Sequence, residues 1–270
     1  VYEHTDGNPL FLVNVVAYLA ASGAVAAAAG GWSIRADAPT LAAEVPTELL
    51  PLVTARVAQL DDADRAVLEA ASLAGRRFSA ATIAAALDLD LVAAESRLAG
   101  MADAGRMLCA DGTSVWPDGT TAGAYRFTHF FYQSVIRDRV PPALRRRLHL
   151  RIAACLERGW GEQRDEVAAD IARHLEAGGE AERAVAYFAR SAERAMARGA
   201  AREAATLVHR ARAIVDALSP TPERNRASAS LHVLLGRVLA PASSPADEAV
   251  EASYLQARSL SAGTGALRAR

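Results

Sequence analysis

Apolar residues recur at three- and four-residue spacing along most of this chain, and the places where that spacing fails divide it into elements. The apolar run Leu10 to Leu19 predicts a helix that opens at Asn8 or Pro9, with Asn8 as N-cap and Pro9 pre-set for the first helical position. That helix is apolar on nearly every face and so needs burial by neighbours. From Gly23 to Thr40 the pattern is weak, and Gly30 to Ile34 suggests a short extended piece. Leu49, Leu52, Val53, Arg56, Val57 and Leu60 then form one amphipathic helix. Asp61 with Asp64 predicts a capping-box-like start for the next, whose stripe is Val67, Leu68, Ala71 and Leu73 before Gly75. Ser79 caps a short helix through Leu87, and Asp90 begins another that ends with Gly105 as its C′ residue.

The period then changes. Met107 to Ala110 reads as a strand, Asp111-Gly112 and Asp118-Gly119 as turns, and Tyr125-Arg126-Phe127 as the returning strand. Three helices followed by a hairpin predict a winged helix. Thr128 is the expected cap of a helix containing His129, Phe131, Tyr132, Val135 and Ile136. Pro142 starts the next, with the stripe Leu144, Leu148, Ile152 and Cys155 or Leu156. Beyond residue 165 the pattern predicts helices at about 165–177, 181–198, 201–218, 222–240 and 246–262. Two of them begin Ala181-Glu182-Arg183-Ala184 and Ala201-Arg202-Glu203-Ala204, a self-similarity at a 20-residue offset. Paired helices of this length approach the tetratricopeptide range of about 34 residues, so a solenoid is expected rather than a closed bundle. Tyr187 and Phe188 are expected to be packing residues against the 201–218 helix. Stacked repeats need about three units, so further repeats are expected after Arg270. The fold class predicted is mainly α, a winged-helix domain with a small β-hairpin followed by a TPR-like α-solenoid. The domains are a lid helix and linker at 1–44, the winged helix with its following helices at 45–160, and repeats at 161–270.

Composition limits the chemistry. At 51% hydrophobic residues the 270-residue chain is globular, and all thirty basic residues are arginine. A P-loop needs a lysine to reach the β- and γ-phosphates, so the chain has no P-loop of its own and is not expected to hydrolyse ATP. No Ser/His/Asp order, HExxH motif or distinctive acid pair marks a catalytic set. Cys109 and Cys155 lack metal-site spacing and read as reduced thiols of a cytoplasmic protein. The apolar stretch from Leu10 to Ala29 is interrupted and alanine-rich, so no membrane span is expected.

Charge is uneven. Residues 1–124 hold 15 acids against 7 arginines, residues 125–160 hold 2 against 8, and residues 161–270 hold 14 against 15. Arg137, Arg139, Arg145, Arg146, Arg147 and Arg151 make the middle basic. They are read as a solvated helix face with ion pairs to the acidic front half. The candidate recognition helix, Leu91 to Ala104, sets Glu95 and Asp103 against Arg97, which would repel phosphates and argues against nucleic-acid binding.

Two motifs carry a resemblance. Gly7-Asn8-Pro9 resembles the Gly-x-Pro element in the lid of signal-transduction ATPases, the NB-ARC and large LuxR-type regulators. Tyr125-Arg126-Phe127-Thr128-His129 is similar to their histidine motif at the wing-to-helix junction, although Phe130 stands where those proteins carry an aspartate. The block through His149 is more like large bacterial regulators that join such an ATPase to a nucleotide cyclase or a DNA-binding domain. The resemblance covers essentially the whole chain. It implies that Pro9 packs against the adenine of ATP or ADP, that Asn8 and Leu10 shape the pocket wall, and that His129 touches the β-phosphate of ADP.

With Val1 no initiator, the sequence reads as a fragment whose nucleotide-binding core lies upstream, nucleotide being bound in the full-length parent alone. The missing core would leave His129 open to solvent. The repeats would receive a protein partner or small ligand and pass its binding to nucleotide-dependent closure. The alternatives are a stand-alone TPR-like interaction scaffold and, less supported, a DNA-binding transcription factor.

Overall fold

The computed structural model describes residues 25–28, 31–34, 50–105, 107–240 and 248–262. The fold is mainly helical, with a small three-stranded antiparallel sheet. By internal contacts the chain divides into two compact units, one comprising residues 1–115 and 119–148, the other residues 116–118 and 149–270. None of the described helices is long and apolar enough to cross a membrane.

The first unit begins with β1 (Val25–Ala28) paired antiparallel to β2 (Gly31–Ile34), Val25 opposite Ile34. The extended piece expected at residues 30–34 is therefore one arm of a two-stranded ribbon. Helices α1 (Leu50–Ala58), α2 (Asp62–Ala74), α3 (Ala80–Leu87) and α4 (Leu91–Asp103) follow, with β3 (Arg77–Ser79) before α3. Three of these helices start where short polar side chains can take an orphan backbone donor. Asp61 Oδ1 accepts from Asp64 N–H at 2.7 Å, Ser79 Oγ from Ala81 N–H at 3.3 Å, and Asp90 Oδ2 from Val92 N–H at 3.0 Å. Gly105, with φ 60°, closes α4 in the left-handed conformation.

Strands β4 (Leu108–Val115) and β5 (Thr121–Phe127) complete a sheet in the order β3-β5-β4. Asp111-Gly112 is a bulge within β4 and not the expected turn. The register shifts between Ala110 and Thr113, Gly112 takes φ 87°, and pairing resumes to Val115 opposite Thr121. Phe78 stacks on Tyr125 with ring centroids 6.4 Å apart and meets the tilted Phe127 ring at 5.9 Å. Leu68, Ile83, Leu98 and Phe131 bury fully beside them.

Helix α5 (Phe130–Arg139) packs on α2 and α1, and Gln133 Nε2 donates to Ser72 O at 3.1 Å. Its N-cap is His129; Thr128, the expected cap, is instead held in the sheet, where its N–H and its hydroxyl both donate to Met107 O, at 2.9 and 3.1 Å. At the other end Arg145 Nη2 donates to the carbonyls of Arg137 at 2.9 Å and Val140 at 3.2 Å, closing the helix with a cation where the dipole favours one. Arg137 pairs with Asp138 at 3.2 Å. These two arginines thus find their partners locally and not on the acidic front half.

The second unit takes up α6 (Pro142–Trp160) from His149 onward. A 3₁₀ segment (Gly161–Val167) follows, then α7 (Ala168–Ala177), α8 (Ala181–Ala197), α9 (Ala201–Asp216), α10 (Pro222–Leu239) and α11 (Glu248–Ala262). From α7 on, each helix packs mainly on the next. The 20-residue self-similarity has a structural counterpart. Gly179 and Gly199 both have left-handed φ, 79° and 75°, and the N–H three residues after the last helical residue bonds back each time, Glu180 to Leu175 O and Ala200 to Ala195 O, both at 2.9 Å or less. Ala184 and Ala204 are then fully buried at matching positions. Thr221 caps α10 by accepting from Arg224 N–H at 3.1 Å, with Pro222 at the first helical position.

Trp116 is buried against the last turn of α6, where Asp118 N–H donates to Gly159 O at 3.2 Å. A Cβ on Gly159 would come 2.1 Å from Trp116 Cε3. Alanine is the better helix former by about 1 kcal/mol, but forcing an extra carbon against a stiff indole costs about 1–3 kcal/mol. Gly159→Ala should therefore destabilise the second unit, and in a Trp116→Leu background it should be neutral or stabilising. Urea melts of the four proteins in that cycle check this, and an equal effect in both backgrounds would contradict it.

Candidate functional site

Of the residues singled out in the sequence, Asn8, Pro9 and Leu10 lie outside the described residues. His129 is described, and it is not open to solvent: only 9% of its surface is exposed. The strand-to-helix junction explains why. Thr128 is still pinned to Met107, so the chain turns from β5 into α5 within one residue and leaves His129 extended, at φ −141° and ψ 143°, with its ring directed into the domain. The imidazole sits beside Tyr132, ring centroids 6.1 Å apart, and Arg56 Nη1 of α1 donates to Tyr132 Oη at 2.8 Å. His129 makes no side-chain capping bond to the N–H groups of the first turn of α5.

Arg56 continues the array to the surface. A cleft of about 330 Å³ is lined by Arg56, Gln59, Leu60, Ala104, Gly105 and Met107. Its wall includes the C-terminal ends of α1 and α4, whose carbonyls make the local field negative, so Arg56 is the cation among acceptors. The buried Met107 has φ 68°, an uncommon conformation for a residue with a long side chain, and the two bonds from Thr128 hold it there. Arg56 bonds to Tyr132, Tyr132 lies beside the His129 ring, and the Met107–Thr128 junction precedes His129 in the first unit. Sequence reasoning assigned Arg56 to the apolar stripe of its helix and missed the cleft; the signal available was a lone arginine at a stripe position.

The charges of α4 are used inside the unit. Glu95 Oε1 accepts from Gly123 N–H of β5 at 2.6 Å, and Arg97 pairs with Asp64 at 2.9 Å and Asp61 at 3.7 Å. Burial, and then the carboxylates of Glu95 and Asp103, raise the Tyr125 hydroxyl above its ordinary value. Val92, at the outer face of the same helix, is exposed.

Neither Cys109 nor Cys155 is in a disulfide, and Cys109 Sγ donates to Arg126 O at 3.7 Å. Burial pushes the Cys155 thiol up to about 11 against the pull of Arg158, which leaves it protonated and unreactive at neutral pH. Among the described residues no group of three or more His, Cys, Asp or Glu is placed to hold a metal ion. Comparison with protein-family models, with curated proteins and with solved structures returns no match for this chain.

Proposed function

We propose that this chain is the regulatory portion of a bacterial signal-transduction ATPase of the cytoplasm. In this reading the first unit is a winged-helix domain, α2 to α4 followed by the β4–β5 wing. Together with the Asn8-Pro9-Leu10 lid element it closes over ATP or ADP held by a nucleotide-binding core. The second unit is a TPR-like solenoid that receives a protein partner or small ligand and biases that closure, with output to transcription or to a nucleotide cyclase.

The observation that supports this best is His129 itself. It is a histidine at the N-cap position of a helix, with its ring beside Tyr132, whose hydroxyl accepts from Arg56. The helix N-terminus next to it favours negative charge. Without lysine the chain supplies no P-loop, so hydrolysis is assigned to the core and not to these residues.

The repeated Gly179 and Gly199 closures favour a second reading, a stand-alone interaction scaffold, because they build a stack whose faces are available to partners. Transcription-factor function is disfavoured, since Glu95 and Arg97 of the candidate recognition helix are engaged within the unit. ADP affinity of the full-length protein separates the first two readings. His129→Ala should weaken ADP binding at least tenfold, the worth of one hydrogen bond to a charged group at about 1.5–3 kcal/mol, and Pro9→Ala should weaken it through lost base packing. Unchanged affinity in both variants leaves the scaffold reading.

A further inference from the structure

His149 on α6 and His174 on α7 bring their Nδ1 atoms to 2.8 Å, with ring centroids 5.1 Å apart. At that distance a single proton lies between the two nitrogens, one ring donating and the other accepting. His174 is 6% exposed, and its neighbour Gly178 lacks the Cβ that would come 2.4 Å from Leu150 Cδ2 of α6. The two helices are therefore packed too closely for the rings to separate without opening the contact.

We propose that the His149–His174 pair is an acid-operated latch between α6 and α7. The neutral pair keeps its N–H···N bond, and the singly protonated pair keeps it as a stronger, charge-assisted one. A second proton turns both Nδ1 atoms into donors and sets two positive rings 5.1 Å apart, so the bond is lost and the helices part.

Arginines of α6 add positive charge near the pair, and several carboxylates of α7 and the 3₁₀ segment are engaged by other arginines. Arg145 and Arg146, one turn earlier on α6, add positive charge to the same end of the helix, and Arg151 lies about 200° round from His149. On α7, Asp170 is engaged by Arg173, and Glu176 is held by Arg210 of α9. From α8, Arg183 is held by Glu157, while Arg190 and Arg194 pair with Asp165 and Glu166 of the 3₁₀ segment.

The sign follows from proton counting. The opened form binds the second proton in the ordinary imidazole range, near about 6.5, and the closed form does not. Opening therefore takes up a proton, and stability is lost as pH falls through that range, the opening constant rising about tenfold per pH unit below it. His232 on α10 adds a background of the same sign, because burial, and then Arg212, lower its value.

The test uses the full chain. Imidazole NMR titration should find the pair protonating in two separated steps, the second well below the ordinary range while the fold persists. Urea unfolding of the second unit, measured for wild type and His149→Gln between pH 7.5 and pH 5, should show the variant losing close to one proton's worth of pH slope, since glutamine keeps a neutral partner for His174. Independent titration of both rings at ordinary values, or an unchanged slope in the variant, overturns the latch. If the variant does not fold, the wild-type titration decides alone.

Discussion

Phe188→Ala will lower the melting of the second unit and leave the first unit's transition where it is. Phe188 is 1% exposed, sits in the shared core of α7 to α10, and carries the Arg210 guanidinium over its ring at 5.4 Å from the centroid. Truncation removes the aromatic transfer energy and leaves a cavity, which together cost about 3–5 kcal/mol. The lost cation–π contact adds about 0.5–1 kcal/mol at this half-exposed arginine. Neighbouring Tyr187 will not fill the space, because its hydroxyl is tied to Glu157 Oε1 at 2.9 Å and that carboxylate also holds Arg183 through both oxygens. Calorimetry should show two transitions, with only the one assigned to the second unit shifted. A single transition displaced as a whole would mean that the two units melt as one.

Phe127→Ala should give the reciprocal result, a loss of similar size confined to the first unit. Phe127 is the last residue of the central strand β5, 1% exposed and packed on Phe78. Its removal also loosens the junction that pins Thr128 to Met107 and orients His129. The expected signature is therefore a lowered first transition together with faster amide exchange at residues 127–132. Normal exchange there, despite the stability loss, would mean that the junction is held by its hydrogen bonds alone.

Much of this architecture was legible in the sequence because its helices are marked locally. Asp61, Ser79 and Asp90 each precede an apolar run, and a short polar side chain in that position has an obvious backbone donor to satisfy. Gly105, Gly179 and Gly199 mark ends for the complementary reason, that a left-handed closing residue is cheapest without a Cβ. Less local features were not legible. Asp111-Gly112 has the composition of a turn, and only the partner strand makes it a bulge. Val25–Ala28 has no alternation to announce a strand. His129 was found through its motif, but its contact with Tyr132, and the bond to Tyr132 from Arg56, 76 residues earlier, were not. The His149–His174 contact joins two helices at a separation of 25 residues, a distance that no periodicity encodes.

The order in which the helices of the second unit pack has a kinetic consequence. Each finds its main partner in the next segment of chain, so the average contact there spans a short loop and closes cheaply. The first unit is different, since β3 must wait for β5, pairing Arg77 with Arg126 across the intervening helices and hairpin. On contact-order grounds the helical stack should form orders of magnitude faster than the sheet. A refolding experiment should then resolve two phases, with helical signal recovered early and the aromatic environment of Phe78, Tyr125 and Phe127 recovered late. During synthesis the slower unit emerges first, and the sheet has the time taken to translate the stack in which to find its register.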